Sequence, residues 1–572
     1  MKRIKWMPVI GAVALMSLVT VFSYVGCGGS SSSSSGSSGD TTAPTVASKG
    51  PVANATNVAL NAVITATFSE AMDPDTISST TFTLCDYEAD ETIAGTVIYD
   101  ENSKTATLTS TADLELARLY QARISVSVKD LAGNAISGGM FYYSWTFHTR
   151  DGAWGTDLRI DINDGANDTA CPHVTMGPNG NGIAVWAQVT NTAYSILASR
   201  YVSGTGWTVP ELLETDDAGM ALNPKVAMDS FGNAIAVWEQ VTNTKTSILA
   251  NYYEAGIGWG SAEVIEDDDD ADAAVPQVAM DPAGNAIVVW EQVTGSMTSI
   301  LAARYVSPTG WTDAVILEAN DTYDANAPQI AIDPLGNAMV VWHQANGSWT
   351  SIMANHYDVA ADDWDGPVLI EDGPENAVKP QVAIDPWGDA MAVWEHSGGT
   401  YYNIYANRYV SGTGWAASAV LLETNDTGDA TVPQIAIDTQ GFAIAVWQHY
   451  DLISGYRSIY TAYYNCEGNT WGAPELLETT NYNAYGPLIA FDQDQNAIAI
   501  WRQSDGVQDN IYSNRYLHCA NAWGTAGLAE ATDGDIRNQY ALACDTLGNA
   551  IAIWRHWGVS VDIIRANRFV FE

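Results

Sequence analysis

One phrase, Asp281-Pro-Ala-Gly-Asn-Ala-Ile-Val-Val-Trp290, returns eight times after residue 150 and constrains the fold more than anything else in the chain. The tryptophans that close it are Trp186, Trp238, Trp290, Trp342, Trp394, Trp447, Trp501 and Trp554, spaced by 52 or 53 residues with one step of 54. A fixed period of this length is the mark of a repeat array. A second series keeps the same beat, through Trp154, Trp207, Trp259, Trp311, Trp364, Trp415, Trp471 and Trp523.

One period, Pro276 to Glu318, reads as four short strands. Pro-Gln-Val-Ala-Met is strand A, Asp281 to Asn285 a tight turn, and Ala-Ile-Val-Val-Trp-Glu-Gln strand B. Ser299 to Tyr305 is strand C, and Gly310-Trp311 leads into Ala314 to Leu317 as strand D. The runs are short, β-branched and bounded by Gly, Pro, Asn and Asp, which is strand patterning. Asp-x-x-Gly-Asn is turn chemistry: the carboxylate accepts backbone N–H groups and the glycine takes positive φ.

Four strands in about 50 residues predict a propeller blade, since radial repetition leaves only short, protected sheet edges. The second Trp series begins at Trp154, before the first strand A, while the chain ends just after the last strand C. Blade eight therefore lacks its own strand D, and residues 154–161 supply it. The expectation is an all-β chain: an Ig-like β-sandwich followed by an eight-bladed β-propeller over 152–572, closed by an N-terminal outer strand. The Pro-x-x-x-x-Asp-x-x-Gly-Asn pattern resembles NHL-type propellers and, more distantly, the sialidase Asp-box. The Asp-box has one residue between Asp and Gly where these repeats have two, so no sialidase residues are carried over.

Residues 1–26 read as an export signal, with Lys2, Arg3 and Lys5 before an apolar run from Met7 to Val21. Tyr24-Val-Gly-Cys27 resembles a bacterial lipobox, which implies cleavage before Cys27 and acylation of its thiol. The Ser/Gly-rich stretch 27–41 then reads as a flexible tether. Removing residues 1–26 deletes three cations and no anions, taking the net charge from −44 to −47. A chain so acidic repels nucleic acid.

Residues 42–149 alternate strand-fashion, as in Val63 to Phe68 and Ala122 to Val128. The motifs Thr42-Ala-Pro-Thr-Val46, Phe68-Ser-Glu-Ala-Met-Asp-Pro74, Lys129-Asp-Leu-Ala-Gly-Asn134 and Trp145-Thr-Phe-His-Thr149 resemble the bacterial Ig-like domain of S-layer and other surface proteins. That resemblance implies a spacer or adhesion module without catalytic residues. Beyond Cys27 the cysteines number five, with no short-spaced pair, which argues against zinc and against a disulfide framework. Only Cys466 and Cys519, in equivalent loops of adjacent repeats, could be considered for a bridge.

Strands B and D end on one face, called the top, and candidate residues collect there. Every strand D closes on a carboxylate (Asp161, Glu214, Glu266, Glu318, Glu371, Glu423, Glu478, Glu530) and runs into an acidic linker. Glu266, Asp268, Asp270, Asp321 and Asp324 read either as a solvated rim or as ligands for weakly bound calcium, a hard cation that wants several oxygens. No other cofactor is expected. Two residues after each strand-B Trp stands an amide or imidazole: Gln188, Gln240, Gln292, Gln344, His396, His449, Gln503 and His556. These read as strand-end hydrogen-bonding groups or as ligand contacts. The B-to-C loops vary most, and they carry Trp349, Tyr401, Tyr402, Tyr450, Tyr456 and Trp557. Rings beside carboxylates and amides suit a sugar surface, and exposed aromatics also mark protein interfaces. The arginines Arg200, Arg304, Arg408, Arg515 and Arg568, recurring on strand C, read as structural.

No Ser/His/Asp order, zinc-binding HExxH or phosphate loop occurs. The sequence therefore leads to a monomeric, non-enzymatic binding or adhesion protein, lipid-anchored at the bacterial envelope, at the outer membrane or cell surface. Its partners would be the membrane, through its lipid, and a glycan or protein ligand. The alternatives are a glycan hydrolase or lyase, or a purely structural envelope component.

Overall fold

The computed structural model describes residues 40–571, except 88, 90, 163–167, 191, 215–218, 243, 267–270, 320–321, 424–426, 479–481, 531, 533 and 559. The expected export signal, Cys27 and most of the expected tether lie outside the described residues.

Residues Val46–Thr149 form two facing sheets, one of four strands and one of five. Strand Ile64–Phe68 buries Ile64, Ala66 and Phe68 and turns its intervening threonines outward, the alternation of a sheet with one solvated face. Phe82, Tyr120, Ile124, Trp145 and Phe147 complete the core between the sheets.

After residue 168 the chain builds eight sheets, one per repeat. In the first, Thr169–Met176 (strand A), Gly182–Thr190 (B) and Ala193–Val202 (C) pair antiparallel. Strand B explains the unbroken apolar run of the repeat. It lies mid-blade with a neighbouring blade against each face, so Ala286 to Trp290 are all buried instead of alternating. All eight strand-B tryptophans are at most 1% exposed. Burying a side chain of that size contributes roughly 2–3 kcal/mol each.

The expected strand D is two short pieces rather than one run. Gly310–Trp311 and Val315–Ile316 each pair with Met297–Val306, and Thr312 stands between them. The Thr312 hydroxyl accepts the Arg304 N–H at 3.1 Å, so a side chain takes the place of a ladder bond and the strand buckles there.

The Asp-x-x-Gly-Asn turn does more than reverse the chain. Asp281 Oδ1 accepts the Ala283 and Asn285 N–H groups at 2.8 and 2.9 Å, and Oδ2 accepts Asn285 Nδ2–H at 2.8 Å. Asn285 Oδ1 in turn accepts Ser307 N–H, tying the turn to the end of strand C. Gly284 has φ +92°, and a Cβ there would lie 3.1 Å from Oδ2 of Asp229 in the preceding blade. Glycine is needed both for conformation and for room.

Blades are joined by a second repeated set. Asn251, Asn355, Asn407, Asn514 and Asn567 on strand C donate to Leu213, Leu317, Ile370, Leu477 and Ala529 carbonyls of the blade before. The strand-C arginines cross to the blade after, each guanidinium lying over an aromatic ring. Arg200 sits 5.2 Å from Tyr253, Arg304 4.7 Å from Tyr357, and Arg568 5.4 Å from Tyr201.

Closure follows the expected route. Ala153–Trp154 and Leu158–Arg159 pair with Asp562–Val570, giving blade eight the outer edge it lacks. Arg565 binds Asp157 across this seam, and the Trp154 indole donates to Ser513 Oγ at 2.7 Å. The innermost strands of blades eight and one pack together, so the ring is complete. Cys85, Cys171, Cys466, Cys519 and Cys544 are unbridged; Cys466 Sγ and Cys519 Sγ donate instead to the Gln440 and Ala117 carbonyls.

Candidate functional site

The innermost strands set the geometry of the axis. In seven blades the residue before the strand-A proline sits in the left-handed region: Cys171, Asn223, Val275, Ala327, Lys379, Val432 and Gly486, at φ +51° to +55°. For β-branched Val275 and Val432 this is a strained backbone. The strand bulges there, and the displaced N–H finds an acceptor one blade back. Val275, Ala327 and Val432 donate to Glu239, Glu291 and Glu395 at 2.7–2.8 Å, and Gly486 to Gln448 at 3.1 Å. Burial pushes the Glu291 carboxyl up from its ordinary value.

Two sequence expectations for the top face need correction. The carboxylates that close strand D form no solvated rim: Glu214, Glu266, Glu318, Glu371, Glu423, Glu478, Glu530 and Asp161 are all buried. They turn inward because strand C has amides to satisfy: Glu214, Glu318 and Glu530 accept the N–H of Ile196, Ile300 and Ile511 at 2.7–3.0 Å. Asp324 is exposed but accepts Thr298 N–H at 2.8 Å, on a different linker from Glu266. These two do not converge on one ion; Asp268, Asp270 and Asp321 lie outside the described residues.

The second correction concerns His396, His449 and His556, which are 7%, 1% and 4% exposed and cannot present a ring to a ligand at the surface. Where glutamine holds this position it accepts the strand-B indole N–H, as in Trp238 to Gln240 and Trp290 to Gln292, both 2.9 Å. In the three histidine blades the indole N–H of Trp394, Trp447 and Trp554 has no hydrogen-bond partner. Two of the histidines pack on tyrosines, His396 4.9 Å from Tyr405 and His449 5.7 Å from Tyr460. Burial holds both imidazoles below their ordinary pKa.

The loop aromatics are spread over four hairpins. Trp349 stands on blade four, Tyr401 and Tyr402 on blade five, Tyr450 and Tyr456 on blade six, and Trp557 on blade eight. Only Trp349, Tyr456 and Trp557 are more than a third exposed.

Rings and guanidinium groups stack in a run across blades six and seven, and a separate stack stands on blade eight. Tyr450 and Arg457 face each other across a hairpin, with the guanidinium 4.8 Å from the ring. Arg457 also lies 5.6 Å from Tyr485, on the innermost strand of blade seven, whose ring meets Arg502 at 4.6 Å. On blade eight Arg537 covers the Trp557 ring at 4.5 Å, and Arg537 and Arg555 share Asp562 at 3.0 and 2.5 Å. Arg502 pairs with Asp509 at 3.1 Å, while Arg457 makes no ion pair among the described residues. Tyr485, Arg457, Arg502, Arg537 and Arg555 escaped the sequence reading, although a signal was present. The residue after each strand-B Trp runs Ala187, Glu239, Glu291, His343, Glu395, Gln448, Arg502, Arg555, from acidic to basic around the ring.

Residues 40–149 match the family model of the bacterial Ig-like domain. No curated protein matches the chain in sequence. Among solved structures, an ulvan lyase from a polysaccharide lyase family is 10% identical, covering 72% of this chain and 95% of that one, with a TM-score of 0.41. A leech intramolecular trans-sialidase is 12% identical over 77% and 90% of the two chains, with a TM-score of 0.35. A Penicillium chrysogenum alpha-L-arabinanase is 13% identical over 56% and 100%, with a TM-score of 0.31. Glycan-active enzymes thus recur among the structures similar to this chain, and the expectation of a chain that is not an enzyme is corrected. The likeness itself is one of fold.

Proposed function

We propose that this is a bacterial envelope protein, lipid-anchored through Cys27, whose propeller acts on an acidic glycan as a hydrolase or lyase. The observation that carries this is the ladder Tyr450–Arg457–Tyr485–Arg502, with a second stack, Arg537 on Trp557, on blade eight. In a chain with 67 acidic residues, a face that gathers arginines against aromatic rings is built for a partner that is itself anionic. Rings cover the apolar faces of sugars, and guanidinium groups pair with sugar carboxylates. The lipobox-like segment, Ser/Gly tether and Ig-like domain fit display of the propeller away from a membrane.

The test is incubation of residues 40–572 with pectate, alginate and hyaluronan, and with neutral glucans as controls. New reducing ends without ultraviolet absorbance would indicate a hydrolase, and absorbance of an unsaturated product a lyase. Turnover of acidic polymers alone, lost in Tyr485→Ala and Trp557→Ala, is the expected result. No product and no retention on any acidic polymer would refute the proposal.

A further inference from the structure

The innermost strand offers one register position per blade, paired with the residue just before the strand-B tryptophan. Around the ring it is His173, Lys225, Gln277, Gln329, Gln381, Gln434, Leu488 and Ala541. Four consecutive blades keep glutamine, so glutamine satisfies the fold there. The imidazole and the ammonium on blades one and two are departures that packing does not demand.

Lys225 is singular in its surroundings. The other two lysines of the propeller sit against carboxylates, Lys245 at 3.5 Å from Asp272 and Lys379 at 3.1 Å from Glu395. Among the described residues Lys225 has neither an ion pair nor a hydrogen bond, although acids outnumber bases about threefold in this chain. Burial lowers its pKa, as expected of an ammonium that has lost water without gaining a counter-charge. His173 Nδ1 accepts the Val226 N–H at 3.3 Å, which places the ring's proton on Nε2 and leaves that atom as a donor. Asn223, two residues before Lys225 and exposed, uses its Oδ1 to accept from Cys171 Sγ at 3.2 Å, leaving its NH2 group as a donor. Ammonium, imidazole N–H and carboxamide NH2 make a set of donors with one formal charge.

We propose that Lys225, His173 and Asn223 form an anion site at the propeller axis that takes the carboxylate of an acidic sugar. A single ammonium matches the single charge of a carboxylate, and the flanking donors can satisfy its two oxygens. That the carboxylate belongs to a sugar rests on the glycan function proposed above.

The experiment is calorimetric titration of residues 40–572 with glucuronate, its methyl ester, glucose and acetate, repeated on Lys225→Gln and His173→Gln. Both variants install the residue that four blades already carry, and circular dichroism and thermal unfolding check that they fold. The expected result is binding of glucuronate, no binding of the ester or glucose, and a loss of roughly ten- to a hundredfold in Lys225→Gln, the scale of a hydrogen bond to a charged group. Equal affinity in wild type and Lys225→Gln, or no uronate binding at all, overturns the site. If acidic polymers are still retained by wild type and Lys225→Gln alike, the axial site falls and the glycan function stands. Acetate bound without glucuronate overturns the assignment to a sugar.

Discussion

Replacing His449 with glutamine should stabilise the propeller, against the usual outcome of a core substitution. The imidazole is 1% exposed and Trp447 Nε1–H has no partner, whereas five sister blades donate this N–H to a glutamine at 2.8–3.4 Å. Leaving a buried donor unsatisfied costs about 1–3 kcal/mol. Blade seven shows that glutamine fits beside tyrosine, since Gln503 bonds Trp501 with Tyr512 opposite that tryptophan, as Tyr460 is opposite Trp447. The gain should also depend on pH. Burial depresses the folded pKa of His449, so below the ordinary imidazole value of about 6.5 the unfolded chain takes up the proton first and stability falls as pH falls. His449→Gln removes that loss, and its advantage should widen on acidification. In a domain this large, 1–3 kcal/mol is a melting shift of only about 1–3 °C, so urea unfolding followed by tryptophan fluorescence is the better assay. A variant no more stable than wild type, or a gain that is the same at neutral and acid pH, would refute the reasoning.

Asp385 gives a pH dependence of opposite sign. Burial raises its pKa to about 6, so the folded state holds that proton more tightly; stability is full below about pH 3.8 and declines as pH rises through about 6. Asp389, which stands where six of the other turns have asparagine, adds like charge; Asp389→Asn should flatten that slope in unfolding curves. Gly284→Ala should cost more than Gly204→Ala by chemical denaturation. Both have positive φ, about 1–2 kcal/mol against alanine, but only the first meets a neighbour, Asp229 Oδ2 at 3.1 Å. Lys225→Gln should unfold at higher denaturant than wild type at neutral pH, because a half-buried ammonium without a counter-charge favours the unfolded state throughout the range below its ordinary pKa.

Much of the ring was legible because repetition amplifies weak signals. Eight turns, four of them Asp-x-x-Gly-Asn and the rest one residue away from it, each flanked by apolar runs, gave the blades, and the offset of the second Trp series gave the closing strand. The glutamates closing strand D misled, because a carboxylate beside an acidic linker looks solvated in sequence, yet its oxygens are needed by strand-C amides such as Ile300 N–H. The ladder stayed hidden because Arg457 and Tyr485 belong to different blades and meet only when the ring forms. Lys225 stayed hidden for the same reason: its singularity emerges only once register aligns it with the glutamines.

The seam of blade eight also sets an order of events. Asn567 bonds the carbonyl of Gly155, 412 positions earlier in the chain. During synthesis the outer strand emerges well before its partner, so an unpaired edge must wait for nearly the whole propeller to arrive. A chain cut short within Asp562–Val570 would retain seven blades, expose edges on both sides of the gap, and invite pairing with a second chain. The strand Asp562–Val570 therefore acts as a latch: only when it has paired with Ala153–Trp154 and Leu158–Arg159 is blade eight complete and blade one seated between two neighbours.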